Sequence, residues 1–215
     1  MAIERDAIPR GRHAPPLEVR LGVQRERLFE AAAAVFARVG YAEASAEAIS
    51  REAGMSKATF YEHFANKEDC LLALFDAASA QVIRDMGAAS EEGEFATYDE
   101  RVRAGVRAFL ETLARHPDSA YTLIVSVLGA GPRAAARRGA ILETFAETIH
   151  RDNARFAPTF GAPTFATRDD AYAIVGAVVE LVGRHLRGGS GRDVRELEPV
   201  ISRLVLGALD RAETR

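Results

Sequence analysis

Between Ser45 and Phe64 the sequence reads SAEAISREAGMSKATFYEHF, two short stretches of helix-forming residues separated only by Gly54, Met55 and Ser56. That spacing dictates most of what can be built around it. Gly54 ends the first stretch because glycine alone takes the left-handed stop of a helix at no steric cost, and Ser45 and Ser56 each supply a side-chain oxygen that caps the helix after it. Two helices closed by so tight a turn cross steeply and cannot bury an apolar face alone, so neighbouring helices must cover them. Ahead of them lies the stripe Leu28, Ala32, Val35, Phe36 and Val39, ended by Gly40; behind them a longer helix, capped by Asn66, begins at Lys67. Ile49, Ala53, Met55, Phe60 and Phe64 are the expected core, which leaves Lys57, Ala58, Thr59, Tyr61 and His63 facing out. Small, hydroxyl, basic and aromatic groups suit the major groove of DNA. A merely solvated face carries Glu and Lys pairs more often, and a plain packing module is the competing reading.

The rest of the chain carries helix punctuation of the same kind. Thr97 with Glu100 forms a capping box ahead of a helix to about Arg115, and Pro117 and Pro132 sit where first helical positions belong. Thr167 begins a helix that Gly188 and Gly189 end, and the last helix starts near Glu198 or Pro199. No strand pattern and no repeat is found, so the expectation is an all-α chain. Residues 1–20, with Pro9, Pro15, Pro16, Arg5, Arg10 and Arg12, read as a disordered arm; 21–66 as the helix-turn-helix domain; 67–215 as a helical bundle whose first helix, 67–86, connects the two.

From Arg25 to Asp76 the sequence resembles the DNA-binding domain of the tetracycline-repressor (TetR/AcrR) type of transcriptional regulators. AAAAVFARVGY (Ala31 to Tyr41) and AISREAGMSKATFYEHFANKEDCL (Ala48 to Leu71) carry the resemblance: Gly-hydrophobic-Ser, Tyr-x-x-Phe and Lys-Glu fall at the family's spacings. It implies that Ser45 and Tyr61 bond phosphates, that Lys57, Ala58 and Thr59 approach base edges, that His63 and Lys67 add phosphate contacts, and that Ser56, which caps this helix, belongs to the DNA-binding set. It also implies a homodimer on a palindromic double-stranded operator, released when a small-molecule inducer shifts the fourth helix. Ala44, Ala48 and Ala58 depart from the pattern, which commonly has threonine, aspartate and glycine there; the first change removes a possible phosphate hydroxyl.

Composition limits the alternatives. A formal net charge of -3 gives no bulk attraction for nucleic acid, so local charge must act if DNA is bound. The single cysteine, Cys70, excludes a disulfide framework within one chain and paired-cysteine zinc sites; its expected role is a buried structural thiol, with redox sensing as the alternative. No apolar run reaches membrane-span length and the N-terminus lacks a signal-peptide core, so a cytoplasmic protein is expected, without membrane or cofactor. Glu147-x-x-His150 has the spacing of a di-iron bundle motif, but no second copy occurs, and a surface i, i+3 pair is the plainer reading. No catalytic or metal-binding residue is assigned. A ligand-free architectural or activator protein would share the DNA-binding features.

Two expectations concern the second half. The helix from Asp169 to Arg187 is apolar on two sides and needs two partners. The last helix offers a matching stripe, and the resemblance implies that the two build the dimer interface, with Ala173, Gly176, Val179, Glu180 and Gly183 and, from the last helix, Ile201, Leu204 and Ala208 as its candidates; an ordinary monomer core is the competing reading. The alanine-rich helices between Tyr98 and Phe156 leave room for an apolar pocket, with Phe109, Tyr121, Val125, Phe145 and Tyr172 as candidate lining and an apolar or aromatic ligand. No cationic or anionic clamp is evident in the pattern.

Overall fold

A computed structural model describes residues 16–188 and 193–210, and among these the chain is all helix, with no strand. Its α-helices are α1 (Leu17–Glu43), α2 (Ala46–Glu52), α3 (Lys57–His63), α4 (Lys67–Glu91), α5 (Tyr98–Arg115), α6 (Pro117–Ile124), α7 (Pro132–Phe156), α8 (Arg168–Arg187) and α9 (Glu198–Asp210). Each start has a local cause. The hydroxyls of Ser45 and Ser56 accept from the amides of Ala48 and Thr59 at 3.1 and 3.0 Å, and Asn66 accepts from Asp69 at 2.9 Å. Thr97 and Thr167 close capping boxes with Glu100 and Asp170, while Pro117 and Pro132 occupy first helical positions. Such caps each contribute about 1 kcal/mol.

Two boundaries differ from expectation. Helix α1 already runs at Leu17, so 17–20 belong to it rather than to an arm; the expectation for residues 1–15 lies outside the described residues. Helix α4 continues past Met86 to Glu91, because nothing between them breaks it before Gly93. Gly40 takes φ +77° and breaks α1 as expected, although one further turn follows it to Glu43.

Core packing ignores the expected boundary at residue 66. Leu28, Phe36, Ile49, Phe60 and Leu71 join Leu123, Val127, Ala134 and Ile141 in one buried cluster. Small residues Ala31, Ala32 and Ala33 let α6 lie close to α1, where the fully buried Thr122 hydroxyl donates to the Ala33 carbonyl at 3.1 Å. Two further clusters fill the bundle from α5 through α9.

Both ends of α4 are anchored. At its start, Arg133 of α7 bonds Glu68 at 2.6 Å and Asp69 at 2.9 Å, and Arg137 pairs with Asp76 one turn on. Near its end, the buried Arg101 of α5 donates to the Ser90 carbonyl and, at 2.6 Å, to Asp152, with Phe156 3.8 Å beneath its guanidinium. Its Nε finds no partner, but a buried guanidinium held by a carboxylate is costly to unpair, so it fixes the α4, α5 and α7 junction.

Candidate nucleic-acid interface and ligand cavity

Helix α3 leaves one side exposed because its other side is entirely spoken for. Phe60 is fully buried and its ring lies 5.6 Å from Phe64, which in turn lies 5.6 Å from Phe29 of α1. Burying two such side chains contributes roughly 1.5–3 kcal/mol each. What remains outside is Lys57, Ala58, Tyr61 and Glu62, all exposed, with Thr59 half-buried beside them. The Thr59 hydroxyl lies 3.0 Å from that of Ser56, which fixes its rotamer while leaving lone pairs free. Lys57 holds its ammonium 5.9 Å from the Tyr61 ring centre, so both present one polar edge. Ser45 and Ser56 are exposed at the N-termini of α2 and α3, where uncompensated amides favour an anion.

His63 and Lys67 both make contacts within the protomer. The His63 ring is half-buried and its Nε2 lies 3.2 Å from Gln24 Oε1 of α1. Burial, aided by the Arg25 cation, holds its pKa below the ordinary histidine value, with Glu62 opposing. Lys67 donates to the carbonyls of Tyr41, Ala42 and Ala44 at 2.8, 2.9 and 2.8 Å, with its ammonium 4.7 Å from the Tyr41 ring centre. All three of its protons are used. Lys67 therefore closes the open carbonyl end of α1 and holds α4 against it, which gives it a positioning role within the protomer. Cys70, one turn on, is fully buried and its thiol is pushed up to about 12 by burial.

Behind this unit lies a cavity of about 650 Å³, within the range of roughly 300–1,000 Å³ usual for small-molecule sites. Its apolar walls come from Leu74, Phe75 and Val82 of α4, Val106 and Phe109 of α5, Leu123 of α6, Ile141 and Phe145 of α7, Val175 and Val178 of α8, and Ile201 of α9. Phe29, with Glu26 and Glu30, closes it from α1. Of the five expected lining residues, Phe109 and Phe145 take part. Tyr121, Val125 and Tyr172 do not: Tyr172 is 37% exposed on the outer side of α8, and Val125 sits where α6 passes into a 3-10 turn. Sequence reading missed Phe29, Leu74 and Phe75, which lie in the same buried cluster as Ile49 and Phe60; their signal was a second apolar edge on α1 and α4. It also missed charge. Arg84, Arg115 and Arg138 line the cavity. Asp85 holds Arg115 at 2.7 Å, and its own pKa is lowered first by the Thr112 hydroxyl and then by hydrogen bonds from Gln81 and Arg115.

The candidate interface residues divide. Ala173, Glu180 and Leu204 are exposed, and Gly176, Val179 and Ala208 are half-buried. Two face inward instead. Ile201 is 1% exposed inside the protomer, and the missing side chain of Gly183 admits Ile124 of α6, whose Cγ2 would lie 3.2 Å from a Cβ there. Val179 also lines the cavity. Tyr172, Val200 and Leu204, each 37% exposed, form the outer apolar face of α8 and α9. Glu147 is exposed on α7, and among the described residues no group of three or more His, Cys, Asp or Glu is placed to hold a metal ion. Among them, too, no helix is long and apolar enough to cross a membrane.

Residues 28–74 match the family model described as bacterial regulatory proteins, tetR family. The fatty acid metabolism regulator protein of Bacillus subtilis (strain 168) is 37% identical over 60 residues, which are 28% of this chain and 31% of that protein. The chain thus matches about a third of that relative's length. Two solved structures share the fold: the fatty acid degradation regulator FadR from Bacillus halodurans, with TM-score 0.72 and 21% identity, over 85% of this chain and 97% of that one; and FadR from Bacillus subtilis in complex with stearoyl-CoA, with TM-score 0.73 and 18% identity, over 85% and 98%.

Proposed function

We propose that this chain, which carries the domain of the tetR family of bacterial regulatory proteins over residues 28–74, is a homodimeric transcription repressor that leaves its operator when an apolar chain fills its cavity. The observation that carries the reading is that one helix serves both ends. Helix α4 begins three residues after the recognition helix α3 and supplies a cavity wall from Leu74 to Met86. Its ends are tied down through Lys67 and Ser90, so a ligand that displaces its middle must tilt or bend it and carry α3 along. The similarity to a fatty acid metabolism regulator, and the stearoyl-CoA bound by a protein of the same fold, support a long acyl group as the apolar part of the ligand.

In this reading Lys57, Ala58 and Thr59 read bases, while Tyr61 and the capped amides behind Ser45 and Ser56 hold phosphates. Two copies meet through the outer face of α8 and α9, and the resulting two-fold axis requires a palindromic operator. The chain acts in the cytoplasm as a regulator and performs no catalysis.

The test is selection of bound sequences from random DNA, then titration of the selected duplex with stearoyl-CoA. A palindrome should emerge, and ligand should weaken its binding at least tenfold. Selection without enrichment would overturn the DNA-binding reading; a palindrome bound equally with any acyl ligand would leave a ligand-independent DNA-binding protein instead.

A further inference from the structure

The apolar cavity has one wall whose chemistry its function as a grease-binding site does not use. We propose that Arg138 is the counter-ion for an acidic head group, so that the ligand is an amphipathic anion: an apolar chain ended by a carboxylate or a phosphate. This rests on the reading of the cavity as the ligand site.

Arg138 is the first member of the α7 stripe Arg138, Ile141, Leu142, Phe145 and Ile149, every one of which lines the cavity. Its neighbours Arg133 and Arg137 are exposed and both are neutralised, by Glu68 with Asp69 and by Asp76. Arg138 is half-buried and, among the described residues, has neither an ion pair nor a hydrogen-bond partner. A guanidinium that has lost part of its hydration without gaining an anion is left at a cost, and its planar fork matches a carboxylate or phosphate.

The other charges of the cavity leave this assignment standing. Arg115 is held by Asp85, and Arg84 donates to Gln81 at 2.6 Å, which leaves its charge uncompensated and adds to the positive wall. His116 lines the cavity as well. Glu26 and Glu30 face it from α1, but both are exposed. A carboxylate in water needs no ligand to satisfy it, whereas a half-buried guanidinium does. The two glutamates repel an anion from the α1 wall and so direct its head toward α7.

The experiment is calorimetric titration of the full chain with four probes of equal chain length: dodecanoate, dodecanoyl-CoA, dodecanol and dodecylamine. At least one anionic probe should bind about tenfold or more tighter than dodecanol, and Arg138→Gln should remove that advantage while leaving dodecanol binding unchanged. Arg138→Lys, which keeps the charge, should retain part of it. An advantage held by dodecanoyl-CoA alone identifies the phosphates as the head; one shared by dodecanoate identifies the carboxylate. Equal binding of acids and alcohol, tightest binding of dodecylamine, or an acid advantage that survives in Arg138→Gln would overturn the proposal while leaving the apolar ligand site intact. Binding of none of the four removes the ligand site itself, and this assignment with it.

Discussion

The ring of Phe29 stands 5.6 Å from that of Phe64; Phe29 lines the cavity, and Phe64 closes the recognition helix from behind. The Arg25 guanidinium lies 5.2 Å from both ring centres and clamps them together, and Phe64 passes the contact on to Phe60 inside α3. Close-packed rings transmit displacement because an interior has few voids to absorb it. A second route from cavity to recognition helix thus runs through α1, beside the one through α4.

Phe29→Leu should weaken that route without emptying the core, at a cost of about 1 kcal/mol in stability. Ligand affinity is expected to stay within about threefold of the parent, while the ligand-induced loss of operator binding shrinks several-fold. Titrating ligand and operator together measures both; full release with unchanged coupling would show that α4 alone carries the signal.

Lys67 gives a clean contrast between bridging helices and touching DNA. With its three protons on α1 carbonyls, Lys67→Met should cost on the order of 2 kcal/mol in unfolding free energy and weaken operator and random DNA alike. The salt dependence of binding should keep its slope. A slope flattened by about two for the dimer, as loss of one phosphate contact per protomer requires, would restore Lys67 to the DNA surface.

Thr59→Ala is expected to behave in the opposite way. It should leave stability and salt slope nearly unchanged and cost on the order of 1 kcal/mol per half-site, on the operator only, with preference relaxed at one base pair in each half. Binding to operator and scrambled duplexes at several salt concentrations decides it; equal losses on both would mean that Thr59 meets only the backbone.

Dimerisation should be tested on residues that face out. Val200→Asp with Leu204→Asp places charges on the exposed face of α8 and α9 without touching the core, unlike changes at Ile201 or at the cavity residue Val179. Light scattering should show monomers of unchanged helicity, and operator affinity should collapse as the second half-site is lost. A helical dimer that survives both charges would move the interface elsewhere.

The Cys70 thiol should be silent. With its pKa raised to about 12 by burial, the thiolate is present at below about one part in a thousand at pH 8, and the side chain is 0% exposed. A disulfide reagent should label it only as fast as the chain unfolds; rapid labelling of native protein would instead mark a redox site. The shift also bears on stability: below the unfolded thiol's pKa nothing is lost, and as pH rises through it toward the folded value the unfolded chain alone ionises, so stability falls.

How much of this was legible in the sequence follows from how far each feature reaches along the chain. Helix starts are local, and Ser45, Ser56, Asn66, Thr97 and Thr167 marked them because a cap needs only its own next three residues. The outward face of α3 was legible for the same reason, since a seven-residue helix has one buried side. The cavity is not local. Seven helices meet there, so Phe29, Leu74 and Phe75 were passed over while Tyr121 and Tyr172 read as lining, and nothing in the spacing distinguishes a residue that fills space from one that borders it. Charge pairing is equally distant: Arg138 stands out only once Arg133 and Arg137 are seen to find Glu68, Asp69 and Asp76 across α4. The bonds of Lys67 to α1 were not legible because its carbonyl partners lie more than twenty residues upstream.

The buried hydroxyl of Thr122 on the Ala33 carbonyl sets a limit for anyone who would rewire this molecule. A sensor chimera could be cut after Asn66, between α3 and α4, and joined to a foreign effector module. Such a cut would strip α1 of the α6 surface that its alanines were small enough to receive, and expose Leu28 and Phe36 to whatever surface the new module brought. A working graft has to take α6 and the first turns of α7 along with the reader, or redesign the alanine face of α1 to suit its new neighbour.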